Sequence, residues 1–222
     1  MDIAIKTKRI LKECGAFKDG GHFVYHSGLH GDFYLNKDAL YARPLLLDDI
    51  CVLLTDVAIG VYGRSFDTVL APAISGILLG QGIAFNLAQH RKDMAFAYAD
   101  KHVKNKDIRT IRRGYQKYIT GKRVLLVDDV VTTGHTLMGM AEAVHALGGE
   151  PIGSVVICDR SGVRSISSIN SGTGCKHDLR IIPLVELEMM TYNENECPFC
   201  KAKRPLDVDL GDVSKSLELV TG

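Results

Sequence analysis

Two adjacent carboxylates followed by small hydroxyl residues and a glycine form the densest chemistry in this 222-residue chain. The stretch runs Val124, Leu125, Leu126, Val127, Asp128, Asp129, Val130, Val131, Thr132, Thr133, Gly134, His135, Thr136. The four apolar residues 124–127 predict a strand buried on both faces. Asp128 and Asp129 then stand at its carboxyl end, the edge where open α/β sheets bind ligands. Residues 132–136 lead into the next helix. Small residues there present backbone N–H groups at the positive end of a helix dipole, which makes a cradle for phosphate. Acids for sugar hydroxyls beside a phosphate cradle describe a site for a phosphorylated ribose. A plain strand end with helix-capping residues is the blander alternative. A phosphoacceptor receiver domain also ends its first strand in paired acids. That strand would lie near the start of the domain, with no Thr-Thr-Gly-x-Thr after it.

The elements around this string follow from its periodicity. Residues 3–14 predict a helix with Ile3, Ile10, Leu11 and Cys14 on one side, stopped by Gly15. Residues 20–37 are rich in Gly, His and aromatics, with short extended pieces such as Phe33, Tyr34 and Leu35. Pro44 opens another helix, whose apolar face is Leu46, Ile50, Leu53, Leu54 and Val57. From residue 67 strands and helices alternate: strand 68–71, a turn at 72–76, a helix to Gln89, strand 94–98, and a charged segment 101–113. Strand 123–129, helix 135–147 closed by Gly148 and Gly149, and strand 152–158 follow. Residues 161–175 are Ser/Gly-rich and predict a loop, residues 181–187 a last strand, and the tail from 191 is polar. Apolar strands alternating with helices imply a parallel sheet covered on both faces.

Hydrophobic residues make up 46% and charged residues 24%, and the net charge is +1. The bulk charge therefore argues for neither nucleic acid nor an anionic membrane. No apolar run approaches the roughly 18 residues that span a bilayer. Residues 1–15 carry charge in every turn and do not resemble a secretory signal. The expectation is a cytoplasmic protein whose six cysteines are reduced.

Residues 124–136 resemble the signature of the type I phosphoribosyltransferases, which bind 5-phosphoribosyl 1-diphosphate (PRPP). The Asp-Asp-Val-Val-Thr-Thr-Gly form is most similar to the orotate branch; the hypoxanthine and adenine branches vary the acids or the residues before the glycine. The resemblance implies an α/β fold with a central parallel sheet flanked by helices and a small N-terminal hood. It divides the chain into a hood segment 1–40, a core 41–190 and a tail 191–222. It implies catalytic and PRPP-binding roles for Asp128 and Asp129 on the ribose hydroxyls. Residues Val130, Val131, Thr132, Thr133, Gly134, His135 and Thr136 would complete the PRPP site, with the 5-phosphate in the 132–136 loop. Ser75 and Gly76, in the segment Ala71-Pro72-Ala73-Ile74-Ser75-Gly76, match the diphosphate loop, although the orotate branch carries Lys where Ser75 stands. The base would be bound by Phe33, Tyr34, Thr132 and Arg160. Phe33 and Tyr34 close a hood segment that begins at His26, Ser27 and Gly28; His26 replaces a Lys of the family pattern and Gly31 a Ser. Arg160, after Cys158 and Asp159, would clamp a carboxylate with its guanidinium fork; without the resemblance it is a surface residue at a strand end. The run Lys101, Lys104, Lys106, Arg109, Arg112 and Arg113 matches the catalytic loop, with Lys101 as the catalytic residue; such a run is otherwise a solvated loop. The implied reaction joins orotate to the phosphoribosyl group of PRPP, releasing diphosphate. Mg²⁺ would be carried by substrate oxygens without direct protein ligands, and homodimers would share active sites. A phosphoribosyltransferase for another base, or a non-catalytic PRPP-binding regulator, would carry the same string.

The tail holds one further motif, Cys197-Pro198-Phe199-Cys200. A structural zinc needs four ligands, and this supplies two. Cys175 and His177 upstream would complete a site, or two tails would share an ion across a dimer. Two reduced surface thiols are the simplest alternative.

Overall fold

The computed structural model describes residues 2–25, 28–102, 108–162, 164–169, 176–187 and 190–208. In chain order the elements are α1 (Ile3–Glu13), β1 (Phe17–Val24), β2 (His30–Leu35), α2 (Lys37–Tyr41), α3 (Pro44–Tyr62), β3 (Thr68–Pro72), α4 (Ile77–Ala88), β4 (Ala95–Lys101) and β5 (Arg109–Ile111). They continue with β6 (Arg123–Val131), α5 (His135–Ala146), β7 (Glu150–Asp159), β8 (Ser165–Ile169), β9 (Lys176–Glu186) and α6 (Pro198–Lys201). Two compact units emerge: Met1–Thr7 with Leu47–Leu187, and Lys8–Leu46 with Glu188–Gly222. Among the described residues no helix is long and apolar enough to cross a membrane.

The larger unit is built on a seven-stranded sheet of order β5-β4-β3-β6-β7-β9-β8. Strands β3, β4, β6, β7 and β9 are parallel, and the edge strands β5 and β8 run antiparallel. Every residue of β3 is buried, as a central strand covered on both faces requires, and its one hydroxyl, on Thr68, donates to the Tyr118 carbonyl. One face packs Leu70, Val124, Leu126, Leu137, Met140 and Val144 into a continuous core. On α4 a Cβ at Gly80 would fall 2.6 Å from the Phe96 ring and 2.9 Å from Ala71, so only glycine lets the helix approach the sheet this closely.

Three expectations need correction. Residues 161–175 are not one loop, because β8 covers five of them. Ile166 is buried while Ser165 and Ser167 are exposed, and Ser167 donates a 2.6 Å hydrogen bond to Asp178. A single inward apolar residue between outward serines suffices for an edge strand whose ladder is supplied by its neighbour. The charged segment 101–113 likewise contains the short strand β5, which pairs with the end of β4. In α1, Ile10 and Leu11 are buried but Ile3 is exposed, because it sits on the first, outer turn.

In the smaller unit β1 and β2 form an antiparallel hairpin with an irregularity between Asp19 and Phe23. The chain after residue 190, expected as a separate tail, joins this hairpin. Tyr192 bridges to His30, and the Asp207 N–H donates to the His22 carbonyl. Arg204 donates to the carbonyls of Gly20 and Gly21 and stands 4.9 Å over the Phe199 ring. A polar sequence without periodicity conceals such docking, because it is made by backbone groups and one arginine.

Candidate functional site

Because β3, β4, β6 and β7 are parallel, their carboxyl ends share one edge of the sheet. Four of the segments singled out above leave from that edge: residues 73–76, Lys101, residues 132–134, and Arg160. From β3 the chain crosses to β4 on one side, and from β6 to β7 on the other. The switch point therefore lies between β3 and β6, where open α/β sheets form a binding crevice. The two loops expected to hold phosphates flank this point.

Asp128 and Asp129 are buried at the end of β6. The Asp128 carboxylate accepts the Asp129 N–H at 2.9 Å, and the Asp129 carboxylate accepts the Val130 N–H at 2.7 Å. These bonds fix both side chains relative to the strand. Strand β6 runs on to Val131, beyond the expected end at residue 129, because β7 pairs with Val130 and Val131. Gly134 caps α5 with φ 77° and, lacking a side chain, makes no capping bond of its own to the helix N-terminus. The first N–H groups of α5 have no intrahelical acceptor and point outward, as anion sites require. Thr132, Thr133 and His135 are exposed around them.

Arg109 is the residue that the sequence did not distinguish. It lay unremarked in a run of cations, yet β5 holds it buried, and it donates a 3.1 Å hydrogen bond to the Thr136 hydroxyl. A guanidinium is thereby seated beside the cradle. Only the pairing of Lys101 with Arg109 across β4 and β5, which sequence does not reveal, would have separated it from its solvated neighbours.

Lys101 ends β4 and is exposed. Arg113, with φ 61°, pairs with Asp100 at 3.6 Å and lies over the Tyr98 ring. Lys104 and Lys106 lie outside the described residues, and Arg112 is exposed. Arg160 is half-buried, and its N–H donates to the Val131 carbonyl at 2.9 Å. The neighbouring Asp159 accepts from both the N–H and the hydroxyl of Ser161, which sets the turn that presents Arg160. Ser75 is half-buried in the loop after β3. A Cβ at Gly76 would fall 2.5 Å from the Pro72 ring, so the tight entry into α4 requires glycine there.

Phe33 and Tyr34 belong to the smaller unit. Phe33 is buried, with its ring edge-on to Phe17 at 4.5 Å, which commits it to that unit's core. Tyr34 is half-buried and tilted against Phe23. The departure at Gly31 has a packing reason, since a Cβ there would meet the Tyr25 hydroxyl at 2.4 Å. His26 and Ser27 lie outside the described residues.

Cys197 and Cys200 lie in the same unit, with His22 and His30; the four possible ligand atoms are all within 4.8 Å of one another. Among the described residues the groups that meet these cysteines are thus His22 and His30, where the sequence offered Cys175 and His177 as one completion. His177 stands on β9 of the larger unit, and Cys175 lies outside the described residues. Nor are the cysteines a pair of surface thiols, since Cys197 is buried. Burial first, and then the neighbouring His22, lowers the His30 pKa, against an opposing pull from Glu194. Burial, reinforced by Cys197, pushes the Cys200 thiol up to about 11.

Residues 36–168 match the model of the phosphoribosyl transferase domain family. An orotate phosphoribosyltransferase of Caldanaerobacter subterraneus subsp. tengcongensis is 34% identical over 186 residues, 84% of this chain and 86% of the relative. One from Campylobacter jejuni serotype O:2 is 29% identical over 201 residues, 89% of this chain and 94% of the relative. Among solved structures, orotate phosphoribosyltransferase from Aeropyrum pernix superposes with a TM-score of 0.62 at 22% identity, covering 81% of this chain and 92% of that one.

Proposed function

The chain belongs to the phosphoribosyltransferase family, and we propose on that premise that it transfers the phosphoribosyl group of PRPP to orotate, giving orotidine 5′-monophosphate and diphosphate. The observation that carries this is the pair of buried acids at the end of β6 beside a helix N-terminus opened by Gly134. Breaking the C1–diphosphate bond builds positive charge on the ribose and negative charge on the leaving group. Positioning and electrostatics meet that need without a covalent nucleophile. Asp128 and Asp129 accept hydrogen bonds from the ribose 2- and 3-hydroxyls. The 132–136 loop and the α5 N–H groups take the 5-phosphate, with Arg109 beside them. The loop of Ser75 and Gly76 takes the diphosphate, and Lys101 neutralises it as it departs. Arg160 forks onto the orotate carboxylate, and Thr132 borders the base.

Magnesium suits this edge, where the two buried carboxylates of β6 border the hard oxygen donors of PRPP, its ribose hydroxyls and diphosphate. Asp128 and Asp129 would hold it through the ribose hydroxyls they bind. When bound, the ion supplies charge neutralisation to the leaving diphosphate. The working form in this proposal is a cytosolic homodimer with shared active sites.

The deciding assay incubates the protein with PRPP, Mg²⁺ and single bases and follows diphosphate release. Orotate-dependent release is the expected result. Release with a different base would assign another acceptor, and PRPP binding without release would assign a sensor. Arg109→Gln is expected to raise the KM for PRPP about tenfold, the worth of one charge-assisted hydrogen bond. An unchanged KM would remove Arg109 from the phosphate site.

A further inference from the structure

The two-histidine, two-cysteine cluster uses residues to which the proposed reaction gives no role, and its geometry stands independently of that reaction. His22 Nε2 lies 3.0 Å from His30 Nδ1, 3.6 Å from Cys197 Sγ and 3.5 Å from Cys200 Sγ. His30 Nδ1 lies 3.3 Å from Cys200 Sγ. Hydrogen bonding does not account for this convergence. The other nitrogen of His22, Nδ1, stands 2.9 Å from the Arg204 carbonyl, and so carries the proton and donates it there. Nε2 then has one in-plane lone pair, able to serve one partner, and three neighbours crowd it. Thiols are also weak donors.

A single cation at the centre accounts for every contact. With bonds of about 2.05 Å to nitrogen and about 2.3 Å to sulfur, a tetrahedral zinc site has edges of about 3.3 Å between nitrogens and about 3.6 Å from nitrogen to sulfur. The four measured separations fall within about 0.4 Å of those edges. The His22 bond to a backbone carbonyl is the partner that a zinc-bound imidazole characteristically has, fixing its tautomer and orientation.

The fold explains how residues so distant in sequence meet. Phe23 pairs with Gly31 and Val24 with His30, so His22 and His30 sit diagonally on one face of the β1–β2 hairpin. Cys197 caps the single turn α6, whose first residue is Pro198, and Cys200 falls three positions on, above it. The bridge of His30 to Tyr192 and the bond of Asp207 to His22 grip the hairpin on either side of the cysteines.

We propose that His22, His30, Cys197 and Cys200 hold one zinc ion within a single chain. Four protein ligands leave no open position, so the ion is structural and staples the C-terminal segment to the hairpin. Two thiolates and two imidazoles in a tetrahedron select zinc over harder divalent ions.

Metal analysis of the full chain, purified without added zinc, tests this. One zinc per chain is expected, and the Cys197→Ser/Cys200→Ser double variant should lose it. Because that variant risks misfolding, the wild-type protein provides a second measurement. Chelator-stripped protein reloaded with Co²⁺ should show a thiolate-to-cobalt charge-transfer band and the intense visible bands of a tetrahedral site. Stripping should also lower the thermal midpoint by roughly 10 °C, restored by zinc. Wild-type protein that takes up no zinc and gives no thiolate–cobalt band would overturn the site. Zinc retained by the double variant would overturn the ligand assignment, and stoichiometric iron in its place would overturn the choice of metal.

Discussion

Asp129→Asn is expected to fold normally and to lose about two to three powers of ten in orotate-dependent turnover. The substitution preserves shape, and an asparagine oxygen can still accept the Val130 N–H that Asp129 accepts at 2.7 Å. What changes is the charge and the second oxygen, which becomes an NH₂ donor facing hydroxyls that must donate. Two adjacent carboxylates are buried here, so neutralising one also relieves repulsion between like charges. Stability should therefore stay within about 1 kcal/mol of wild type. Turnover should not, because positive charge develops on the ribose ring only in the transition state. A unit negative charge between about 4 and 8 Å away is worth roughly 2–4 kcal/mol at an effective dielectric near 20. The loss should thus fall on kcat as well as on kcat/KM, which separates it from a binding defect. The check is steady-state diphosphate release alongside a thermal melt. A correctly folded variant with near wild-type kcat would remove Asp129 from the reacting centre.

The string that carries this prediction was legible because its physics is local. Four apolar residues, two acids and a glycine before a helix dictate strand, edge and cradle within thirteen positions, and β6 and α5 formed as expected. The carboxyl-edge placement of Arg160 and Ser75 followed from the same strand–helix alternation. What stayed hidden depended on pairing between distant segments. Arg109 reads as one cation among six until β5 pairs with β4 and buries it against Thr136. Ser165 and Ser167 read as loop residues until β9 supplies a ladder for β8. The Cys-x-x-Cys announced half of a metal site, but nothing in its neighbourhood indicates His22, 175 residues before Cys197, or His30, 170 residues before Cys200. Nearness in sequence suggests Cys175 and His177 as one completion among others, whereas the hairpin and the C-terminal turn bring His22 and His30 to the cysteines. Gly31 likewise looked like a departure from a motif, and only the Tyr25 hydroxyl facing it shows that glycine is required.

Gly134→Ala should damage both stability and PRPP binding, by two separable routes. The residue sits at φ 77°, where an alanine costs about 1–2 kcal/mol from backbone sterics alone. A Cβ there would also stand 2.8 Å from Ile166 Cγ2, well inside van der Waals contact. Ile166 is buried in β8 against the core that contains Leu137, so it has little room to retreat. The loop must move instead, taking with it the amides that open α5. Strain lowers the melting midpoint by several degrees, whereas displacement of the amides raises the KM for PRPP, by roughly tenfold or more if two phosphate hydrogen bonds are lost. Gly134→Asn distinguishes the two routes. Asparagine tolerates a positive φ better than alanine but carries the same Cβ. If the contact with Ile166 governs binding, both variants lose PRPP affinity equally while asparagine keeps more stability. Restored PRPP affinity in Gly134→Asn would show that φ alone matters, and wild-type affinity in both would exclude this loop from the phosphate site.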